Sequence, residues 1–207
     1  GATFTQANVA WIAGGDYNGS DGSFDKQKVI FEEIADAQPN ALFTAHNAPD
    51  NAAFPVWGGE SWLNLNTLYC YPDIGDVYPY EQAATEYARD PVIPLFYLEG
   101  RYSQETGYTD AIGRLQIWTP FLSGAKCGGL IGENPRWHFE SPNSIYSYTG
   151  TYQDTYDSAL VQAVTHFRTC VLAYDWWKLE PKTDTSLVSS SLSSGLSRIV
   201  PALADDG

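Results

Sequence analysis

The sequence predicts an α/β fold on a parallel sheet, and three observations carry that expectation. Short apolar runs alternate with amphipathic stretches along the chain. The runs end near residues 16, 46, 71, 99 and 133, a step of about 25 to 34 residues that fits a βα unit. Each run ends on a polar or charged residue, the place where parallel α/β folds keep their chemistry. Two architectures satisfy this pattern. A (β/α)₈ TIM barrel needs eight strands and about 250 residues, so five units would form only part of one. A flavodoxin-like five-stranded sheet is self-contained, but no phosphate-binding Gly-rich turn follows the first run.

Taken in order, Val9 to Ala13 reads as a strand that ends in Gly14-Gly15-Asp16. Residues 17–24 are turn-forming, and Asn18-Gly19-Ser20 is a formal glycosylation acceptor not expected to be used beside Asp16. Asp25 is the expected cap of a helix over 25–37, stopped by Pro39-Asn40. Ala41 to His46 is the next strand, ending in His46-Asn47. Trp57 and Trp62 in the following loop are candidates to line an outer cleft. Leu65 to Tyr71 forms a third strand, and Pro79 opens a helix to about Arg89.

The run Val92 to Leu98 ends in Glu99-Gly100. Its apolar character predicts a strand covered on both faces. Thr109 or Asp110 caps the next helix, closed by Ser123-Gly124. Cys127 to Gly132 is a fifth strand, leading to Glu133 and Trp137. The longest helix is expected over 156–174, with Leu160, Val164, Phe167 and Val171 inward. A Ser-rich connector over 184–197 then leads to a strand-like 198–203 and Asp205-Asp206-Gly207, a hairpin-turn signal. The expected organisation is residues 1–183 as the C-terminal part of a barrel, then 184–207 as connector and first strand of a truncated β domain. The chain reads as an excerpt of something longer.

Composition narrows the partners. The 207 residues carry 25 acidic against 11 basic side chains, a net charge of −14 that disfavours nucleic acid and anionic membrane surfaces. No apolar run approaches the roughly 18 residues of a membrane span, and no signal peptide is visible. Cys70, Cys127 and Cys170 cannot all pair and match no zinc spacing, so they are expected as buried free thiols; no cofactor or metal is expected. The compartment stays open, with an extracellular, periplasmic or particle-associated setting preferred to the cytoplasm.

Two strand-end carboxylates in one parallel sheet outline a glycosidase. Asp16 and Glu99 are the candidate catalytic pair. Glycosidic cleavage needs one carboxylic acid to protonate the leaving oxygen and one carboxylate to stabilise or attack the anomeric carbon. His46 and Asn47, Tyr97 and Tyr102 flanking Glu99, and Trp137 as a stacking platform are the candidate substrate contacts. Glu133 joins them as the rival carboxylate. Arg101 is expected to pair with acidic loops.

Several blocks together resemble the apiosidase-like glycoside hydrolases, a bacterial family long of unknown function: WIAGGDYN (11–18), TAHNAP (44–49), WLNLNTL (62–68), PVIPLFYLEGRY (91–102), FLSGAKCGGLIGENPRW (121–137), YDWWKLEP (174–181) and SRIVPALADDG (197–207). The resemblance implies a TIM barrel followed by a C-terminal β-sandwich, with strands four to eight present here. It also implies a retaining mechanism, with the family's Gly-Gly-Asp acid/base on Gly14-Gly15-Asp16 and its strand-seven nucleophile on Glu99. Asp16 would then have its acidity weakened by burial near aromatics and by the Glu99 charge. Tyr69-Cys70-Tyr71 stands where the family would have a Gln-containing motif, and Ser103 where a second acidic residue is expected. The missing strands would come from the rest of a longer polypeptide or a second chain. The substrate would be an oligo- or polysaccharide. The alternatives are a non-catalytic carbohydrate-binding or structural component of an assembly, and a flavodoxin-like small-ligand binder.

Overall fold

The computed structural model describes residues 9–17, 22–71, 77–134 and 151–204. Its parallel strands are β1 (Ala10–Tyr17), β2 (Leu42–Asn47), β3 (Asn66–Tyr69) and β4 (Leu95–Glu99). β1 pairs with β2 and β3 with β4, both parallel. β2 and β3 meet through Leu65 N–H on Phe43 O at 3.1 Å and a pair of threonines. Thr44 Oγ1 donates to Thr67 Oγ1 at 3.0 Å, and Thr67 Oγ1 donates onward to Ala45 O. Residues 127–134 run beside β4 through Cys127 N–H on Leu95 O and Leu130 N–H on Tyr97 O.

Neighbouring strands therefore follow chain order. A flavodoxin-like sheet would place its first strand between the second and third. Here β2 lies between β1 and β3, which excludes that alternative. An arc wound in chain order is how barrel-type sheets are built.

The helices are α1 (Phe24–Ala37), the short α2 (Phe54–Trp57), α3 (Pro79–Tyr87), α4 (Asp110–Leu122) and α5 (Ala159–Leu172). Ser23, not Asp25, stands at the N-cap of α1, and Asp25 falls in its first turn. Pro79 opens α3, and Thr109 Oγ1 caps α4 by accepting Ile112 N–H. β4 begins three residues later than its apolar run, because Pro94 has no N–H for the ladder. The fifth expected strand is reduced to isolated parallel bridges at Gly129 and Glu133. Gly128, at φ +107°, interrupts its extended run. Phe167 of α5 packs edge-on to Trp118 and Phe121 of α4, whereas Val164 is exposed.

One core lies between β1–β2 and α1–α2, built on Ala13, Phe31, Phe43, Ala45, Trp57 and Trp62. A second, around Leu68, Cys70, Ala83, Leu95 and Tyr97, joins β3–β4 to α3. Ile12 and Leu42, on the other face of β1–β2, are 41% and 50% exposed, so those strands are covered on one face only. Cys70 is buried and free, but Cys127 is exposed. Near the C-terminus β5 (Leu179–Pro181) and β6 (Ala202–Ala204) pair antiparallel. The connector docks on α3, with Gly195 N–H on the Tyr80 hydroxyl at 3.0 Å. Among the described residues no helix is long and apolar enough to cross a membrane. Asn18-Gly19-Ser20 and Asp205-Asp206-Gly207 lie outside the described residues.

Candidate active site

Both candidate carboxylates sit where a strand pair loses its register. In β1 four steps, Ala13 to Tyr17, oppose only two in β2, Ala45 to Asn47. The excess bows out as Gly14-Gly15-Asp16. Gly14 takes φ +75°, and a Cβ there would stand 2.7 Å from Gln27 Oε1, so the turn requires glycine. Asp16 itself adopts φ +51°. In β4 two steps, Tyr97 to Glu99, oppose a single step in β3, Leu68 to Tyr69. Such bulges re-aim side chains, and this one separates two residues that simple alternation would put on the same face. Tyr97 is turned into the helical layer, while Glu99 meets His46 and Tyr102.

His46 links the two carboxylate positions. Its Nδ1 accepts the Asp16 backbone N–H at 2.9 Å and stands 3.8 Å from Asp16 Oδ1. Its Nε2 lies 2.5 Å from Glu99 Oε2. An Nδ1 that accepts leaves the ring proton on Nε2, so the neutral imidazole donates to Glu99. The hydrogen bond to Glu99 pushes the His46 pKa up, against burial that lowers it. A second proton, on Nδ1, would nevertheless displace the Asp16 N–H, so the neutral ring is the form that satisfies both contacts.

The Tyr102 hydroxyl donates to Glu99 Oε1 at 2.6 Å. Burial would raise the Glu99 pKa, but the bonds from His46 and Tyr102 overcome it and hold the carboxyl below its ordinary value. Tyr69 packs its ring 5.2 Å from that of His46 and adds to the same stabilisation of charged Glu99. Burial beside that charge drives the phenol pKa of Tyr69 up, so it stays a neutral donor. Removing one donor gives a signed expectation. Tyr102→Phe should move the acid limb of the pH–activity profile upward by about one unit, with the neutral-pH rate little changed through this route. A limb that stays in place would show that Tyr102 does not control Glu99.

One ligand atom each from Asp16, His46 and Glu99 lies within 4.8 Å of the others. This is the one such gathering of metal-type donors among the described residues. Two of these donors, His46 Nε2 and Glu99 Oε2, are in direct contact with each other. Asp16 departs from expectation in one respect. Its side chain is 68% exposed, because Gly14 and Gly15 offer no cover and the adjoining sheet face is open.

Other expected contacts fall elsewhere. Asn47 is buried, with Oδ1 accepting Trp57 Nε1–H and Nδ2 donating to Ala52 O, so it braces the following loop. Trp57 is a core residue, and Trp62, in the same core, borders an open cleft with Glu32, Asp36 and Asn64 whose lining includes neither Asp16 nor Glu99. Tyr97 shares its hydroxyl between Cys70 O and Gln116 Oε1. Glu133 is buried, accepts from Ser103 and Ser158, and thereby ties 127–134 to the N-cap of α5. Arg101 does meet an acidic loop residue, Glu105, at 3.9 Å. Trp137 lies outside the described residues.

Sequence reasoning missed Tyr69, Glu105 and Gln116. Tyr69 ends β3 as Glu99 ends β4, but the apolar run continues to Tyr71 and hides that end in the sequence. Gln116 gave no signal: its buried amide accepts Arg101 N–H at 2.6 Å and donates to Arg101 O at 2.9 Å, continuing the sheet's pairing beyond Glu99. Gly100 permits that approach, since a Cβ there would collide with Tyr97 and Gln116.

Solved structures share this arrangement of strands and helices. A protein described as a glycoside hydrolase superposes with a TM-score of 0.86 at 17% identity, over 99% of this chain and 51% of the other. A glycoside hydrolase family 5 protein from Bacteroides vulgatus ATCC 8482 gives 0.84 at 16% identity, over 96% and 47%. The chain thus spans about half the length of each, and at these identities the likeness is one of fold. No curated protein sequence matches it. The model of the apiosidase-like catalytic domain matches residues 1–178, nearly the whole of the chain, which therefore belongs to the apiosidase-like family.

Proposed function

We propose that the protein is a retaining O-glycosidase acting on an oligo- or polysaccharide, with Glu99 as nucleophile and Asp16 as general acid/base. The observation that carries this is the gathering of Asp16 and Glu99 donor atoms, with His46, within 4.8 Å. Retaining enzymes keep their two carboxyl groups about 5–5.5 Å apart, whereas inverting ones leave about 6.5–9.5 Å for a water. Their surroundings also differ. Glu99 is held ionised by three donors and is ready to attack an anomeric carbon. Asp16 projects from a turn into open space, where it can reach a leaving oxygen.

In this reading the anomeric carbon bonds to a Glu99 oxygen as the glycosidic bond breaks, and Asp16 passes its proton to the departing oxygen. Asp16 then takes a proton from water as that water displaces Glu99. His46 keeps the two in register through its paired contacts. The uncovered Ile12 and Leu42 belong inside a barrel of which β1 to β4 and 127–134 are strands four to eight, the remaining strands coming from further polypeptide or a second chain. That completion would also remove water from around Asp16.

Incubation of the protein with activated 2-deoxy-2-fluoro glycosides, apiosides first, is expected to leave a covalent sugar on the peptide containing Glu99. A product of inverted configuration, or turnover with no adduct at Glu99, would overturn the retaining assignment. Sugar binding with no turnover of any glycoside would place the protein among non-catalytic binders.

A further inference from the structure

We propose that Glu105 is a positioning residue for Glu99, acting through Tyr102. This deepens the glycosidase reading and rests on it for the reaction, though not for the geometry. Glu105 Oε2 accepts the Tyr102 backbone N–H at 3.3 Å, while Glu105 N–H returns to Tyr102 O at 3.4 Å. These reciprocal bonds close a turn whose first residue sends its hydroxyl to Glu99 Oε1. The other carboxylate oxygen of Glu105 accepts the Tyr71 hydroxyl at 3.3 Å, so the turn is tied across to the end of β3.

The turn is held from both sides. Gln116 of α4 fixes Arg101 at both of its backbone groups, and the Arg101 guanidinium reaches over to Thr106 O and toward Glu105. Glu105 ties this scaffold to both backbone groups of Tyr102, whose hydroxyl touches Glu99. Asp16 of β1, His46 of β2, Tyr69 of β3, and Tyr102 and Glu105 of the following loop all face Glu99. Burial raises the Glu105 pKa, Tyr102 N–H, Tyr71 and Arg101 oppose that, and the Glu99 charge adds to it.

Glu105 is therefore tied to Glu99 in two ways. The Glu99 charge raises the Glu105 pKa, and Glu105 as an acceptor places the hydroxyl that favours Glu99 ionisation. Two variants separate these effects, because Glu105→Ala and Glu105→Gln both remove the charge and only the second keeps an oxygen for Tyr102 N–H. Carbon-13 carboxylate NMR of the intact protein, with the Glu99 signal assigned by its loss in Glu99→Gln, reads the site without requiring turnover. Glu99 is expected to titrate about one unit higher in Glu105→Ala than in Glu105→Gln, a tenfold change in its ionisation constant. The acid limb of kcat/KM should move by the same amount. Equal Glu99 titration in the two variants, both folded by near-ultraviolet circular dichroism, overturns the proposal. If Glu105→Ala does not fold, Glu105→Thr makes the same comparison, its hydroxyl stopping short of Tyr102 N–H. A protein that hydrolyses nothing but shows the NMR difference would refute the glycosidase reading and leave this positioning intact.

Discussion

Glu99→Gln is expected to lower glycoside hydrolysis by at least about 10³-fold, the scale on which reacting groups act in covalent and acid–base catalysis. The loss has two sources. The amide is a poor nucleophile, and it also mismatches its surroundings. Both Glu99 oxygens accept, one from His46 Nε2 and one from the Tyr102 hydroxyl. A glutamine can present an oxygen to only one of them, so its NH₂ confronts a donor on the other side. If it confronts His46, the ring must move its proton to Nδ1 and surrender the Asp16 N–H. The damage then spreads to the acid/base turn. Asp16→Asn should cost about 10²–10⁴-fold, and much less on substrates whose leaving group needs no proton. Initial rates on a natural and an activated glycoside check both. Folded variants that hydrolyse at the parental rate would remove these residues from the chemistry.

What the sequence disclosed and what it hid divide along a physical line. Helices announced themselves by local chemistry: Pro79 at a first turn, Thr109 at a cap, Ser123-Gly124 at an end. The carboxylates were legible because a lone charge at the end of an apolar run has few other places to go. The facing of side chains was not. Tyr97 and Tyr102 both flank Glu99 on paper, yet Tyr97 belongs to the helical core and Tyr102 to the site. The difference arises from one slipped step opposite Leu68–Tyr69, which depends on the partner strand and leaves no local mark. Asn47 misled for a similar reason. It directly follows His46, and alternation turns it to the other face, where Trp57 takes it. Glu133 looked like a rival carboxylate because its serine partners lie 30 and 25 residues away along the chain.

Trp57→Ala is expected to be the most destabilising single truncation in the described residues, and it should injure the site without touching it. The indole is fully buried, stacked on Phe24 at 4.3 Å between ring centroids and tilted against Tyr17 at 5.3 Å and Trp62 at 5.5 Å. Emptying such a position costs about 3–5 kcal/mol. It also strips Asn47 Oδ1 of its donor in a buried place, a further penalty of about 1–3 kcal/mol. Against a typical total stability of about 5–15 kcal/mol, that is a large share. Trp57→Phe keeps most of the ring contacts and loses only the hydrogen bond and some volume, so its cost should be well under half as great. Urea midpoints for the two variants check the ordering, and a Trp57→Ala cost below about 1 kcal/mol would contradict the packing. The consequence for the site follows from chain connectivity. Tyr17 leans on Trp57, directly follows Asp16, and accepts Ala48 N–H at 2.7 Å. Asn47 directly follows His46. Loosening Trp57 therefore frees both neighbours of the His46–Asp16 contact at once, so the residual folded fraction of Trp57→Ala should hydrolyse more slowly per molecule than the parent.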